Sequence, residues 1–151
     1  MEIQSILNNA VISRLMTAQA AGTGDVLNSL AVDLAGAESA LFLIELGSIA
    51  AGGIATVQLQ GSEDNGVSDP FVNLYGTKIA NAGNASGGNM LAIEARAIQS
   101  KRFVRVTITR TGGANVGIDS VIAEVFALKN LVAAQGATID GSLQVVGLLP
   151  A

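Results

Sequence analysis

"ATVQLQGSEDNG", residues 55–66, sets a strand signal directly against a turn signal. Ala55, Val57 and Leu59 alternate with Thr56, Gln58 and Gln60, the period-two pattern of a strand with one buried and one wet face. A glycine, two acids, an asparagine and a second glycine follow. Asp64-Asn65-Gly66 is a good turn sequence in its own right, because Asn and Gly both tolerate positive φ. The rival reading is chemical, since Glu63, Asp64, Asn65 and Asp69 supply the oxygens that calcium takes. "SEDNGVSDPF" lacks the EF-hand spacing of acids and its closing glutamate. Adjacent acids on a turn tip also do not build the cleft across which a glycosidase sets two carboxylates. The turn is the expected reading.

The same alternation recurs on both sides of this stretch. In "KRFVRVTITR", residues 101–110, Val104, Val106 and Ile108 oppose Arg105, Thr107 and Thr109. In "MLAIEARAI", residues 90–98, Leu91, Ile93, Ala95 and Ala97 oppose Glu94 and Arg96. Each reads as a half-buried antiparallel strand. "ALFLIELG", residues 40–47, and "SVIAEVFAL", residues 120–128, are apolar on both faces apart from Glu45 and Glu124. A buried helix gives the same run, but both are short and flanked by glycine or turn residues, which favours strands covered on both sides. The cover is a second sheet, a long arm or another subunit. "AAGTGD", "NAGNASGGN" and "RTGGANVG" punctuate these runs with turn residues. The predicted fold is all-β, an antiparallel β-sandwich over residues 21–130.

The ends read differently. Residues 1–20 are expected to be an N-terminal arm or first strand: Ile3, Ile6, Leu7 and Ala10 follow helical spacing, whereas "NAVISRLMT", residues 9–17, reads equally well as a strand. Residues 131–151 are expected to be a C-terminal arm or last strand. Their "AAQGATIDGSLQVVGLLPA" has Asp140 as its only charge. Ile3, Ile6, Leu7, Leu143, Val145, Val146, Leu148 and Leu149 are the expected partner-interface residues.

Composition narrows the function. Of 151 residues, 50% are hydrophobic, 3% aromatic and 13% charged, and mean hydropathy is +0.51. That is high for a monomer in water, so the chain either enters a membrane or hides surface in an assembly. A spanning helix needs about 20 apolar residues in a row, and Glu45, Gly47, Gly52 and Gly53 cut the greasiest stretches. "MEIQSILNNAVISR" opens with an acid and lacks a signal peptide's basic start and apolar core, so no signal peptide is expected. The chain has no Cys and no His, which removes the thiol nucleophile and the commonest general base and zinc ligand. Net charge of −4 makes nucleic acid an unexpected partner.

The remaining chemical candidates each have a structural reading. Glu45 and Glu124 interrupt apolar strands, where an unpaired carboxylate would have a raised pKa. The expected arrangement is a strand end or an arginine across the sheet. Lys101, Arg102, Arg105 and Arg110 crowd one run with Phe103 as its only aromatic, too few for a stacking platform. Arg96 and Arg105 are expected to pair across strands with carboxylates such as Glu94, or else to meet an acidic partner subunit. Lys78, Lys101 and Lys129 stand outside any S-x-x-K pattern. No catalytic, cofactor-binding or metal residue is assigned, and no enzyme is expected.

"AVDLAGAESALFLIELGSIAAGGIATVQLQGSEDNG", residues 31–66, resembles a family of small tailed-phage head proteins. A strand pair of the form "VD..G..S..F.I..G" precedes an acidic turn there, and "KRFVRVTITR" with "SVIAEVFAL" is similar to the family's closing strands. The resemblance implies a jelly-roll-like sandwich with extended arms that cements or decorates a capsid. It implies a protein made in the host cytoplasm, located on the virion, self-associating as dimer or trimer and bridging subunits of the major capsid protein. It implies no cofactor, no membrane and no catalytic residue. A head–tail adaptor or tail component is the alternative within the virion. A carbohydrate- or receptor-binding sandwich is the alternative outside it, opposed by the scarcity of aromatics, with only Tyr75 and four Phe, several of them expected in the core.

Overall fold

The computed structural model describes residues 10–81, 83–96 and 100–126. Ile3, Ile6, Leu7, Leu143, Val145, Val146, Leu148 and Leu149 therefore lie outside the described residues, as does Lys129. The elements are β1 (Ala10–Met16), β2 (Gln19–Gly22), β3 (Val26–Asp33), β4 (Ser39–Ile49), β5 (Ile54–Ser62), β6 (Val72–Asn73) and β7 (Ile79–Ala80). A 3₁₀ turn (Asn84–Ser86), β8 (Met90–Arg96), β9 (Phe103–Thr111) and β10 (Val116–Phe126) complete them.

The antiparallel pairs are nested. β1 pairs β10, β3 pairs β9, β4 pairs β8, and β5 pairs both β6 and β7. Two further pairs, β10 with β4 and β9 with β5, roll this nest into two sheets. One sheet runs β1-β10-β4-β8 with β2 also on β10, and the other runs β3-β9-β5-β6 with β7 also on β5. Nested hairpin pairs rolled into a double sheet are the jelly-roll arrangement.

The core lies where the two inner faces meet. Ala55, Val57 and Leu59 from β5 and Val104, Val106 and Ile108 from β9 are buried against Phe42, Ile44 and Leu46 of β4 and Val121, Ala123 and Val125 of β10. These are the apolar positions of the period-two pattern, because successive strand residues point to opposite faces. Each large side chain removed from water here contributes about 1.5–3 kcal/mol. β4 and β10 are neighbours at the centre of one sheet, with Leu43 opposite Ile122. Their outward residues Leu41, Leu43 and Ile122 are half-buried, which accounts for runs that are apolar on both sides.

β3 obeys no simple period. Its register shifts between Asn28 and Ala31, and at that bulge the buried Ser29 hydroxyl accepts the Val106 N–H at 2.9 Å and donates to the Leu30 carbonyl at 2.7 Å. A side chain thus replaces the missing ladder bond, as bulges require.

Arg110 ties the sheets together at one rim. The residue is only 5% exposed. It bonds both Asp25 oxygens and donates to the Ala20 carbonyl at 2.6 Å and the Val116 carbonyl at 2.9 Å. β9 is thereby joined to β10 and to the β2–β3 connection. Gly22 leaves room for it, since a Cβ there would stand 2.7 Å from the guanidinium.

Candidate functional site

The acidic turn after β5 closes on itself. The Ser62 hydroxyl donates to the Asp69 carbonyl at 2.7 Å and accepts the Gly66 N–H at 2.8 Å. Asp64 accepts the backbone N–H groups of Val67, Ser68 and Asp69 at 3.0, 2.7 and 3.0 Å, together with the Ser68 hydroxyl. Asp69 accepts the Glu63 N–H at 2.7 Å and the Lys101 ammonium at 2.8 Å. The Ser68 hydroxyl and then the three amides hold the Asp64 carboxyl far below the usual carboxylate range. Lys101, then the Glu63 amide, holds Asp69 low as well. Asn65 and Gly66 take φ of 62° and 80°, as the turn reading requires. Both oxygens of the Asp64 carboxylate are committed to donors of the chain.

Several of the other candidates are also engaged within the chain, and Glu45 and Arg105 differ from expectation, since Glu45 lies inside β4 and its partner is not an arginine. Glu45 accepts the hydroxyl of Ser120, its register partner on β10. Arg105 does not pair with Glu94, because Arg105 lies on β9 of one sheet and Glu94 on β8 of the other. Its partner is the Gln60 carbonyl oxygen, reached at 3.0 and 2.8 Å, and its guanidinium stacks 4.2 Å from the Phe71 ring. An amide and a ring face take the place of the expected carboxylate. Arg96 forms no ion pair with the described residues. Arg102 pairs with Asp33 at 2.5 Å, so each cation of the Lys101–Arg110 run is engaged.

Two outward faces differ in chemistry, and neither was legible before the register was known. On the β1-β10-β4-β8 sheet, one row carries Ile12, Glu124, Leu41 and Glu94, and the next carries Arg14, Ile122, Leu43 and Ala92. The last row is Ala10, Phe126, Ser39 and Arg96. This face is an apolar band with the carboxylates of Glu124 and Glu94 and the guanidiniums of Arg14 and Arg96 set into it. Both terminal segments depart from its last row.

The opposite face is polar, with two uncharged rows beside the row that carries Arg105 and Gln60. Val26, Thr109, Thr56 and Ala80 form one row, and Asn28, Thr107 and Gln58 form the next. A groove of about 370 Å³ lies over Val26, Thr56, Gln58, Thr107 and Thr109, lined also by Gln60, Asn73, Lys78 and Thr111. The β6–β7 connector walls one side, held by the Thr77 hydroxyl, which accepts the Leu59 N–H at 3.1 Å and donates to the Leu74 carbonyl at 2.8 Å. Tyr75 on that connector is wholly exposed. The expectation that several Phe sit in the core is corrected: only Phe42 is buried, and Phe71, Phe103 and Phe126 are half-buried. Aromatic surface is therefore available outside.

Among the described residues no helix is long and apolar enough to cross a membrane. No family model matches the chain, and no curated protein matches it. Among solved structures, the PBSX exported protein XepA is similar at TM-score 0.52 and 14% identity, over 97% of this chain and 46% of that one. The chain thus spans about half of XepA's length. A structure from the disulfide-linked pili of Bacillus endospore appendages is similar at TM-score 0.45 and 16% identity, over 85% of this chain and 98% of that one. Eiger TNF from S. frugiperda is similar at TM-score 0.41 and 9% identity, over 89% and 99%. Of these, only the XepA likeness bears on the architecture, and at 14% identity it bears on the fold alone.

Proposed function

We propose that this chain is a structural protein of a phage particle that binds the capsid shell and cements it by bridging major-capsid subunits. The observation that carries the proposal is the row Ala10, Phe126, Ser39 and Arg96. Residues 1–9 attach at Ala10 and residues 127–151 at Phe126, both in this row of the sheet whose outer face carries the apolar band. The first segment carries Ile3, Ile6 and Leu7, and the second carries Leu143, Val145, Val146, Leu148 and Leu149. Two greasy segments and a greasy sheet face then act on one neighbour. The near absence of charge in the tail and the high mean hydropathy agree with surface hidden in an assembly. The jelly-roll topology and the resemblance over residues 31–66 support the same reading.

The physics is linkage. A molecule that binds the assembled shell better than free subunits stabilises the shell by the difference. Many copies raise a modest local affinity into strong retention. Deletion of residues 140–151 tests the proposal. The expected product folds, stays in solution and fails to co-sediment with capsids that retain the full chain. Unchanged co-sedimentation overturns the role of the tail, and unfolding reassigns the tail to the core.

A further inference from the structure

We infer that the groove over Thr56, Gln58, Thr107 and Thr109 binds an acidic saccharide, with Lys78 taking its anionic group and Tyr75 stacking on a sugar ring. Threonine on an outward strand face is ordinary, because it fits a pleated, half-wet surface. Three observations set this face apart.

First, it is walled. The groove measures about 370 Å³, within the roughly 300–1,000 Å³ of small-molecule sites. Its wall is pre-formed, since Thr77 pins the β6–β7 connector to β5 and to Leu74. A side chain held before binding loses less freedom on binding.

Second, besides Val26 the lining has hydroxyls, amides and one ammonium but no carboxylate, and of the amides Gln60 is already bonded to Arg105 and Asn73. Lys78 forms no ion pair with the described residues, unlike Lys101, Arg102 and Arg110. In a chain of net charge −4, an unpaired cation in a carboxylate-free groove selects a ligand with isolated negative charge. Threonine hydroxyls and glutamine or asparagine amides donate and accept, as sugar hydroxyls do.

Third, the connector that carries Lys78 also carries an exposed aromatic side chain. Tyr75 lies between Asn73 and Lys78, both of which line the groove, and its side chain is fully in solvent. An exposed ring with nothing to bury it is a surface on which the apolar face of a pyranose can rest. Because this groove lies on the sheet opposite the apolar band, it stays open when the other face is docked.

Amide NMR titration of the full chain with 3′-sialyllactose, trigalacturonate, maltotriose and inorganic phosphate tests the inference. The expected result is saturable shifts at Thr56, Gln58, Lys78, Thr107 and Thr109 with one or both acidic saccharides, at millimolar concentration. The two acidic arms separate a sialylated from a uronic-acid ligand. Maltotriose is expected to bind about fivefold more weakly, the worth of one exposed ion pair. K78A is expected to erase that difference, and Y75A to weaken acidic and neutral sugars alike; both residues are exposed, so the fold persists. No saturable shift with either acidic saccharide, shifts confined to other surfaces, or the same shifts from phosphate alone would overturn the inference. None of these outcomes bears on capsid binding.

Discussion

Ala10 and Phe126 stand opposite each other as the first register pair of β1 with β10. The pairing brings the two ends of the sandwich together at one corner, on the sheet with the apolar outer band. Under the proposed capsid role, the outer face of the β1-β10-β4-β8 sheet is the side expected to meet the shell.

Charge placed on that face separates docking from folding. Leu43 and Ile122 are register partners in its second row and are half-buried. L43R and I122R are expected to lose capsid co-sedimentation while unfolding within about 1 kcal/mol of the parent, since neither side chain belongs to the inner core. The same assay with T107V, on the opposite face, is expected to show binding unchanged. Equal loss from both faces would contradict the assignment.

Arg110 is the side chain whose removal is expected to cost most outside the apolar core. Its guanidinium satisfies the Ala20 and Val116 carbonyls as well as Asp25. R110M leaves those acceptors without a donor and is expected to destabilise by about 3 kcal/mol, the low end for breaking a buried pair, because Asp25 keeps contact with water. Urea unfolding reads the difference. R102M, at an exposed pair with Asp33, is expected to change the midpoint far less.

Two glycines with similar φ are expected to respond differently to alanine. Gly24 has φ of 74° and open space around it, so G24A costs only the left-handed penalty of about 1–2 kcal/mol. Gly112 has φ of 88°, and a Cβ there would lie 1.9 Å from the Gly52 carbonyl oxygen. The β4–β5 and β9–β10 turns would have to separate. G112A is therefore expected to be clearly the less stable of the two in urea, and a smaller effect than G24A would refute the close approach of these turns.

Acid is expected to weaken the fold only at low pH. Arg110 holds the Asp25 carboxyl below its ordinary pKa, Arg102 holds Asp33 low, the Ser68 hydroxyl holds Asp64 low, and Lys101 holds Asp69 low. Because these folded-state values are depressed, the unfolded chain takes up protons first. The stabilisation is complete above the unfolded value of about 3.9 and is lost as pH falls through the folded values. The urea midpoint is expected to be flat from pH 7 to 5 and to fall below about pH 4. D64N and D69N are expected to flatten that fall, which titration of the midpoint in each variant would show.

Much of this fold was legible because β5, β8 and β9 keep the period-two pattern and β4 and β10 are apolar on both sides. Val57, Leu59, Val106 and Ile108 are buried as their spacing predicts. β3 was not legible. Its bulge puts Ser29 inside and leaves Leu30 69% exposed, so hydrophobicity no longer tracks the inward face. The partner of Arg105 was misread because sequence shows which charges exist but not which sheet each strand joins. The polar groove was invisible for the same reason: Thr56 and Thr109 are 53 positions apart and become neighbours only through the β5–β9 register. Tyr75 and Lys78 carried no signal of their own, since isolated polar and aromatic residues on a connector fit any loop.

The most direct test is a density map of the particle that carries this protein, compared with particles made without it. The account predicts sandwich-sized density repeated over the shell, with the β1-β10-β4-β8 face and the Ala10–Phe126 corner against the capsid and the groove facing solvent. Density confined to a single ring at the tail vertex, or none on the particle, would contradict it.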